Sequence, residues 1–300
     1  MDTALRAVVL GAGAGGGLPQ WNCGCMNCRD ARAGKIPGQT QSSLMVSADG
    51  ETWVVLNASP DIRTQCAKQI QLAPDGLRGT SIKSVVLTNG DIDHIAGLLC
   101  LREKTAFTIF ATRDILSILS ENPVFSALDK DTVLRCEIKV GETFEAAPGI
   151  FLRAFYVPGK VPLFQEKGVV DTELISENTI GLMVNSGEKR LCYVPGCASI
   201  QTNLLQHLDK TDLLFFDGTL WSDTEMRTTR TGLKTGRRMG HIPISGPNGS
   251  LSAFTDFPNM RRAYIHINNT NPILQPSSPQ RQTVEQAGWI VTQDGMEFRL

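Results

Sequence analysis

The run Ser84-Val85-Val86-Leu87-Thr88-Asn89-Gly90-Asp91-Ile92-Asp93-His94-Ile95-Ala96-Gly97-Leu98 passes from a β-branched apolar segment, through a polar turn, into a helical pattern. Its first five residues read as a strand closed by an Asn-Gly turn signal. Proteins that alternate strands and helices gather their sites beyond strand ends. Here three potential oxygen or nitrogen ligands, Asp91, Asp93 and His94, fall within four residues of such an end. A spacing of two puts Asp91 and Asp93 on the same side of an extended chain, with His94 pointing the other way or opening the helix. The alternative is that Asp91 or Asp93 only caps the helix and His94 is an ordinary helical residue.

Outward from this run, short β-rich segments separated by turn signals are predicted at 5–10, 43–48, 53–56, 108–111, 151–157, 179–184, 190–194, 213–216, 263–267 and 289–292. Helical patterns are predicted between them at 61–70, 95–103, 113–119, 199–207, 251–254 and 283–286. Each half begins with strands and then alternates strands with helices. Two mixed sheets packed face to face with helices outside suit that order. A doubly wound parallel sheet is the competitor. It needs longer helices after nearly every strand, and the adjacent strands 43–48 and 53–56 stand against it.

A chain of 300 residues can form one large domain or two ordinary ones, and its core needs no disulfide support. The composition, 41% hydrophobic and 20% charged, is that of a globular protein. A net charge of −1 gives no bulk attraction to nucleic acid or an anionic membrane. No apolar run nears the roughly 20 residues of a membrane span. The N-terminal residues carry no basic leader or cleavage site, so a signal peptide is not expected, and a cytoplasmic location is.

Of the eight cysteines, Cys66, Cys100, Cys136, Cys192 and Cys197 are scattered in apolar contexts and read as reduced core residues. The other three are clustered in Trp21-Asn22-Cys23-Gly24-Cys25-Met26-Asn27-Cys28. Gly24 lets the backbone fold tightly, and a C-x-C-x-x-C loop can wrap three sulfurs around one tetrahedral zinc ion at about 2.3 Å per bond. With no open position, such an ion is structural. The chain has four histidines, His94, His207, His241 and His266. His241 is the expected fourth ligand, because it follows a loop and is not needed elsewhere. The alternative is three buried or redox-active thiols, which would leave Cys23 unexplained.

Gly11-Ala12-Gly13-Ala14-Gly15-Gly16-Gly17 contains a G-x-G-x-x-G match after a strand. A dinucleotide site needs a helix at once and an acidic residue about 20 positions on. Pro19 and the cysteine cluster follow instead, so close backbone approach beside a site is the expected role. Residues 227–240, RTTRTGLKTGRRMG, carry five basic residues and no acidic one and should form a surface loop, either a mobile connection or an anion-binding lid. Two apolar strands end in polar groups, one at Asp217 and one at His266, which with Asp93 and His94 points to a second metal site.

Together these residues resemble a known family. Strand pairs, then T-x-x-x-x-D-H-x-x-G (Thr88 to Gly97), then Asp217, then His266 is the order of the metallo-β-lactamase fold. That superfamily usually reads H-x-H-x-D-H. Here Asn89 and Asp91 stand at the two leading histidines, and Tyr156-Val157-Pro158-Gly159-Lys160 offers none in mid-chain. A longer resemblance, to the pyrroloquinoline quinone (PQQ) biosynthesis protein B family, rests on LGAGAGGGLPQWNCGCMNC, NASPDIRTQ, FYVPGKVPLF, FDGTLWSD, KTGRRMGHIPISG and HINNTNPIL. It implies an α/β fold, a metallo-β-lactamase-like four-layer αββα sandwich in one domain over 1–300. It also implies a structural zinc at the cysteines and a role in making PQQ from a peptide-derived Glu–Tyr precursor.

The lost histidines decide the expected chemistry. A dinuclear zinc hydrolase needs about five histidines and a bridging aspartate. Two histidines and one carboxylate suit mononuclear non-haem Fe(II) with open positions. The leading expectation is an Fe(II)-dependent oxygenase that hydroxylates the precursor's tyrosine ring. His94, His266 and either Asp93 or Asp217 would be ligands, and Asp91 a ligand or a neighbour that orients one. Arg230, Lys234, Arg237 and Arg238 would hold the precursor's carboxylates. The alternative from another class is a non-catalytic carrier for PQQ or its precursor, and a phosphodiesterase-like hydrolase ranks lower. The expected partner is that precursor, not nucleic acid or membrane, with a homodimer left open.

Overall fold

β1 (Arg6–Gly11), β2 (Ser43–Ser47), β3 (Trp53–Leu56), β4 (Ile82–Val86), β5 (Phe107–Ala111) and β6 (Val133–Glu137) lie in one sheet, in chain order. The second sheet takes β7 (Thr143–Ala147), β8 (Ile150–Tyr156), β9 (Ile180–Ser186), β10 (Lys189–Val194), β11 (Leu213–Asp217), β12 (Arg261–Ile265) and β13 (Trp289–Val291). β14 (Glu297–Arg299) returns to pair with β1, so each sheet has seven strands. The structure is a computed structural model that describes residues 5–74 and 76–300. The expectation that residues 1–4 form no leader lies outside the described residues.

Both sheets are mixed. In the first, the pairings from β14 to β3 are antiparallel and those from β3 to β6 parallel. In the second, β7 to β10 pair antiparallel and β10 to β13 parallel. The antiparallel halves exclude a doubly wound parallel sheet.

Alternation along the strands builds three apolar layers. Ala7, Val9, Leu44, Val46, Val54 and Leu56 of the first sheet pack on Leu152, Leu182, Leu191, Tyr193, Phe215 and Ile265 of the second. Val8, Met45, Val55, Val85 and Ile109 turn outward onto the helices Ile62–Lys68 and Arg113–Glu121. Cys192, Leu214, Phe216 and Tyr264 meet the helices Thr202–His207 and Pro279–Gln286 through Leu204 and Val284. The result is a four-layer αββα sandwich.

Three strands and three helices were not visible as patterns; the helices are Met26–Arg32 and, within the basic segment expected to be a surface loop and at its start, Gly236–Met239 and Glu225–Thr228. β6 and β7 carry half-exposed, mixed residues (Val133-Leu134-Arg135-Cys136-Glu137 and Thr143-Phe144-Glu145-Ala146-Ala147), and β14 has three residues. The helix Met26–Arg32 starts inside the cysteine loop, where no apolar period announces it. Among the described residues, no helix is long and apolar enough to cross a membrane.

Candidate metal centres

β4 delivers the Asp91–His94 run to the edge between the sheets. Asp91 begins the short helix Ile92–Ile95, but its side chain makes no capping bond, so capping does not account for it. Gly97 fixes the helix: a Cβ there would overlap the Ser59 carbonyl, and its N–H donates to Ala58 O at 2.9 Å. His94 is 1% exposed. Asn89 Oδ1 accepts from the Asp91 backbone N–H at 3.0 Å and lies 2.7 Å from His94 Nδ1. The amide oxygen is thereby fixed as acceptor, so Nδ1 carries the ring proton and Nε2 keeps its lone pair. That Nε2 is buried and has no hydrogen-bond partner. A buried acceptor left bare costs about 1–3 kcal/mol; a cation would satisfy it.

Asp93 and His266 supply the rest of a donor set. Asp93 Oδ2 lies 3.8 Å from His94 Nε2 and 3.0 Å from His266 Nε2, and the three groups place ligand atoms within 4.8 Å of one another. Burial pushes His94 down to about 4, with Asp93 opposing, so the ring is neutral as a ligand must be. Burial works against charge on Asp93, but His94 and His266 outweigh it and hold the carboxyl below its usual range. His266 shifts up because Asp93 outweighs its burial. Burial and the charge of Asp93 push Asp91 up.

Asp217 stands behind this set. It is wholly buried and accepts from Cys197 N–H (3.0 Å), Thr219 N–H (3.0 Å), Thr219 Oγ1 (2.6 Å) and His241 Nδ1 (2.7 Å). Thr219 Oγ1 in turn lies 2.8 Å from His266 Nδ1. A single turn thus joins Asp217 to His266 through one hydroxyl, and His266 sits there with a left-handed φ of 59°. Burial opposes ionisation of Asp217, yet His241 and its hydrogen bonds draw its carboxyl below the usual range.

The expected place of His241 at the cysteine cluster is corrected. It hydrogen-bonds Asp217 and stacks on His266 at 5.1 Å between ring centroids. Its position follows from the helix Gly236–Met239, which ends at Gly240 with φ 86° and turns His241 inward. Asp217, His241 and His266 form a second set of ligand atoms within 4.8 Å.

Cys23, Cys25 and Cys28 place their sulfurs within 4.8 Å of one another. The helix Met26–Arg32 starts after Cys25, and Arg32 holds the loop by donating to Cys23 O and Gln20 O, both at 2.6 Å. Burial pushes the Cys25 thiol up to about 12; Cys23 is also desolvated, but its hydrogen bonds lower it. The side chain that reaches all three sulfurs is Asn269, whose Nδ2 lies 3.1, 3.6 and 3.2 Å from those of Cys23, Cys25 and Cys28. All eight cysteines are free; Cys192 and Cys197 are buried, while Cys66, Cys100 and Cys136 are half-buried.

The four cations named for the precursor do not gather at one point. Arg238 pairs with Glu166 through both terminal nitrogens, at 3.3 and 2.8 Å, and Lys160 joins the same carboxylate at 3.1 Å. Arg238 and Lys160 hold Glu166 down at about 2. Arg230 lines a groove of about 650 Å³ beside Cys25 and Trp221, and Lys234 and Arg237 are exposed. Gly15 of the glycine run packs against Asp93, as expected of a backbone approach beside a site. Asn89, Thr219, Asn269 and Lys160 escaped sequence reasoning; their signal was the number of Asn and Thr residues at strand ends, all polar yet buried in the case of Asn89, Thr219 and Asn269.

Comparison with known proteins agrees with this geometry. The model of the β-lactamase superfamily domain matches residues 52–267. The chain is 53% identical over 296 residues to coenzyme PQQ synthesis protein B of Ruegeria pomeroyi, covering 99% of this chain and 100% of that protein. It is 56% identical over 300 residues to the protein of that name from Rhizobium meliloti, covering 99% and 98%. The structure of zinc-bound PqqB from Methylobacterium extorquens superposes with a TM-score of 0.97 at 47% identity, over 98% of this chain and 100% of that one. A diphosphatase of the PhnP family shares the fold alone, with a TM-score of 0.69 at 20% identity over 99% and 97%.

Proposed function

Because this chain belongs to the coenzyme PQQ synthesis protein B family of the β-lactamase superfamily, and so has its place in PQQ biosynthesis, we propose that it hydroxylates the tyrosine ring of a Glu–Tyr-derived precursor at one ferrous ion held by Asp93, His94 and His266. The observation that carries this reading is the bare, buried Nε2 of His94 beside Asp93 and His266. Two neutral imidazoles and one carboxylate are the donor set of mononuclear iron oxygenases.

A two-ion hydrolase holds its ions about 3.5–4 Å apart. The Asp217, His241 and His266 group could hold a second ion only by sharing His266 with the first set, and Asp217 already accepts from Cys197, Thr219 and His241. Asn89, at the first histidine position, spends its side-chain oxygen on His94 and on the Asp91 backbone. Lys160, with His241 and His266, supplies the positive charge that favours the Asp91 carboxylate against its burial and Asp93. These features support one catalytic ion.

The bound ferrous ion would supply oxygen activation. One atom of O2 enters a ring C–H bond as hydroxyl; the other leaves as water, with two electrons and two protons from an external reductant. The chain's own residues do the rest. Asn89 and Thr219 fix the two imidazole ligands by their far nitrogens. Asp217 accepts the hydrogen bond of His241 Nδ1–H and so fixes the ring, whose Nε2 is the proposed acceptor for the precursor's phenol. Glu166 ties Arg238 to Lys160 and so fixes the basic segment.

The test is protein with zinc on the cysteines and ferrous iron added anaerobically, then precursor, ascorbate and oxygen. Ring hydroxylation by mass spectrometry is the expected result. One zinc per chain, no second ion, and precursor bound without turnover would instead identify a carrier.

A further inference from the structure

We infer that Asn269 closes the coordination of the ion held by Cys23, Cys25 and Cys28, its side-chain amide oxygen serving as the fourth donor. This rests on the reading of the cysteine trio as a metal site. Three sulfurs leave one corner of a tetrahedron open, and the residue at that corner decides how tightly the ion is held.

The Asn269 amide is the one side chain among the described residues whose polar end lies against all three sulfurs, at 3.1, 3.6 and 3.2 Å. Donor atoms around a tetrahedral zinc, with bonds of about 2.3 Å to sulfur and 2.0–2.2 Å to oxygen, sit about 3.6–3.8 Å apart. The amide end therefore already occupies the fourth corner, a few tenths of an ångström inside its final position. The two ends of an amide are isosteric, and a half turn about Cβ–Cγ exchanges Nδ2 for Oδ1. With N–H inward the amide donates to bare sulfurs; with oxygen inward it donates a lone pair to a cation.

The backbone holds Asn269 in place for this. Its carbonyl accepts from Asn27 Nδ2 at 2.9 Å, so the cysteine helix and the asparagine are pinned together. Asn268 N–H donates to Thr219 O at 3.1 Å, and the Asn271 amide donates to Gly218 O at 2.9 Å. Asn269 is 4% exposed, which keeps water from competing for the corner. Three residues earlier the same turn carries His266, so an ion drawn onto Asn269 steadies the ligand of the other centre as well.

Cobalt(II) titration tests this, because the thiolate-to-cobalt charge-transfer band in the near ultraviolet reports the cysteine site alone. The parent should show that band, with tetrahedral d–d bands. Asn269→Ala should shift the d–d bands and release cobalt to a chelator at least tenfold more readily. Asn269→Asp keeps an oxygen at the corner and should hold the ion; Asn269→His should move the bands towards three sulfurs and one nitrogen. A parent without the thiolate band overturns the cysteine site itself. A parent band unchanged, in position and in chelator competition, by Asn269→Ala overturns the role of Asn269 alone.

Discussion

Replacing Asn89 by alanine should loosen the proposed catalytic ion without touching any of its ligands. Asn89 Oδ1 lies 2.7 Å from His94 Nδ1, and the His94 ring is 1% exposed. Once the amide is gone, the ring has two choices. It can keep its proton on Nδ1 as a buried unpaired donor, at about 1–3 kcal/mol. Or it can move the proton to Nε2, where it blocks the metal. Either way, ferrous affinity should fall about ten- to a hundredfold, the usual weight of a residue that orients a ligand, or about 1.4–2.7 kcal/mol. The assay is anaerobic calorimetric titration of ferrous iron into protein whose cysteines already hold zinc. Asn89→Asp keeps the acceptor and should bind iron within a few fold of the parent. Parent-like binding by Asn89→Ala, or equal weakening by Asn89→Asp, would refute the tautomer argument.

Thr219→Val keeps the shape but breaks the link from Asp217 to His266, so iron binding should weaken about tenfold and the melting temperature should drop, at roughly 2–4 °C per kcal/mol. Gly97→Ala must displace the Ser59 backbone and should cost about 1–3 kcal/mol in chemical denaturation, with loss of iron binding because Gly97 anchors the helix bearing His94. His241→Ala should keep its iron, since the ring is not in the Asp93–His94–His266 set, yet lose at least tenfold in hydroxylation, checked by metal analysis beside turnover. Burial pushes Glu225 up to about 7, above its ordinary 4.5. A group raised in the folded state adds stability at low pH and loses it as the pH climbs. Stability should therefore fall between about pH 4.5 and 7, by at most about 3 kcal/mol, and Glu225→Gln should remove that slope in denaturant titrations.

The parts legible in the sequence were those whose residues are neighbours along it. The cysteine loop spans six residues, and Asp93 and His94 adjoin one another. Strands with two buried faces, such as β11 with Leu213-Leu214-Phe215-Phe216, announce themselves by composition. His266 was legible because a superfamily order predicts it. His241 was not, because its choice between the cysteines and Asp217 depends on the left-handed turn at Gly240 and on a partner 24 residues away. Asn89 was read as a lost ligand; its role as the acceptor for His94 appears only when the backbone curls to bring residues 89 and 94 together. Asn269 lies more than 240 residues from the sulfurs it faces, a distance no local pattern spans. The edge strands β6 and β7 were missed because half-exposed strands mix polar and apolar residues without strict alternation.

The central claim is that Asp93, His94 and His266 hold one iron that puts oxygen onto a phenol ring. A single-turnover reaction under ¹⁸O2, with the cysteines zinc-loaded and the iron counted beforehand, tests it most directly. The account predicts one ¹⁸O atom in the ring product of the parent and none from His94→Ala. Full iron occupancy with no labelled product, or labelled product undiminished in His94→Ala, would contradict it.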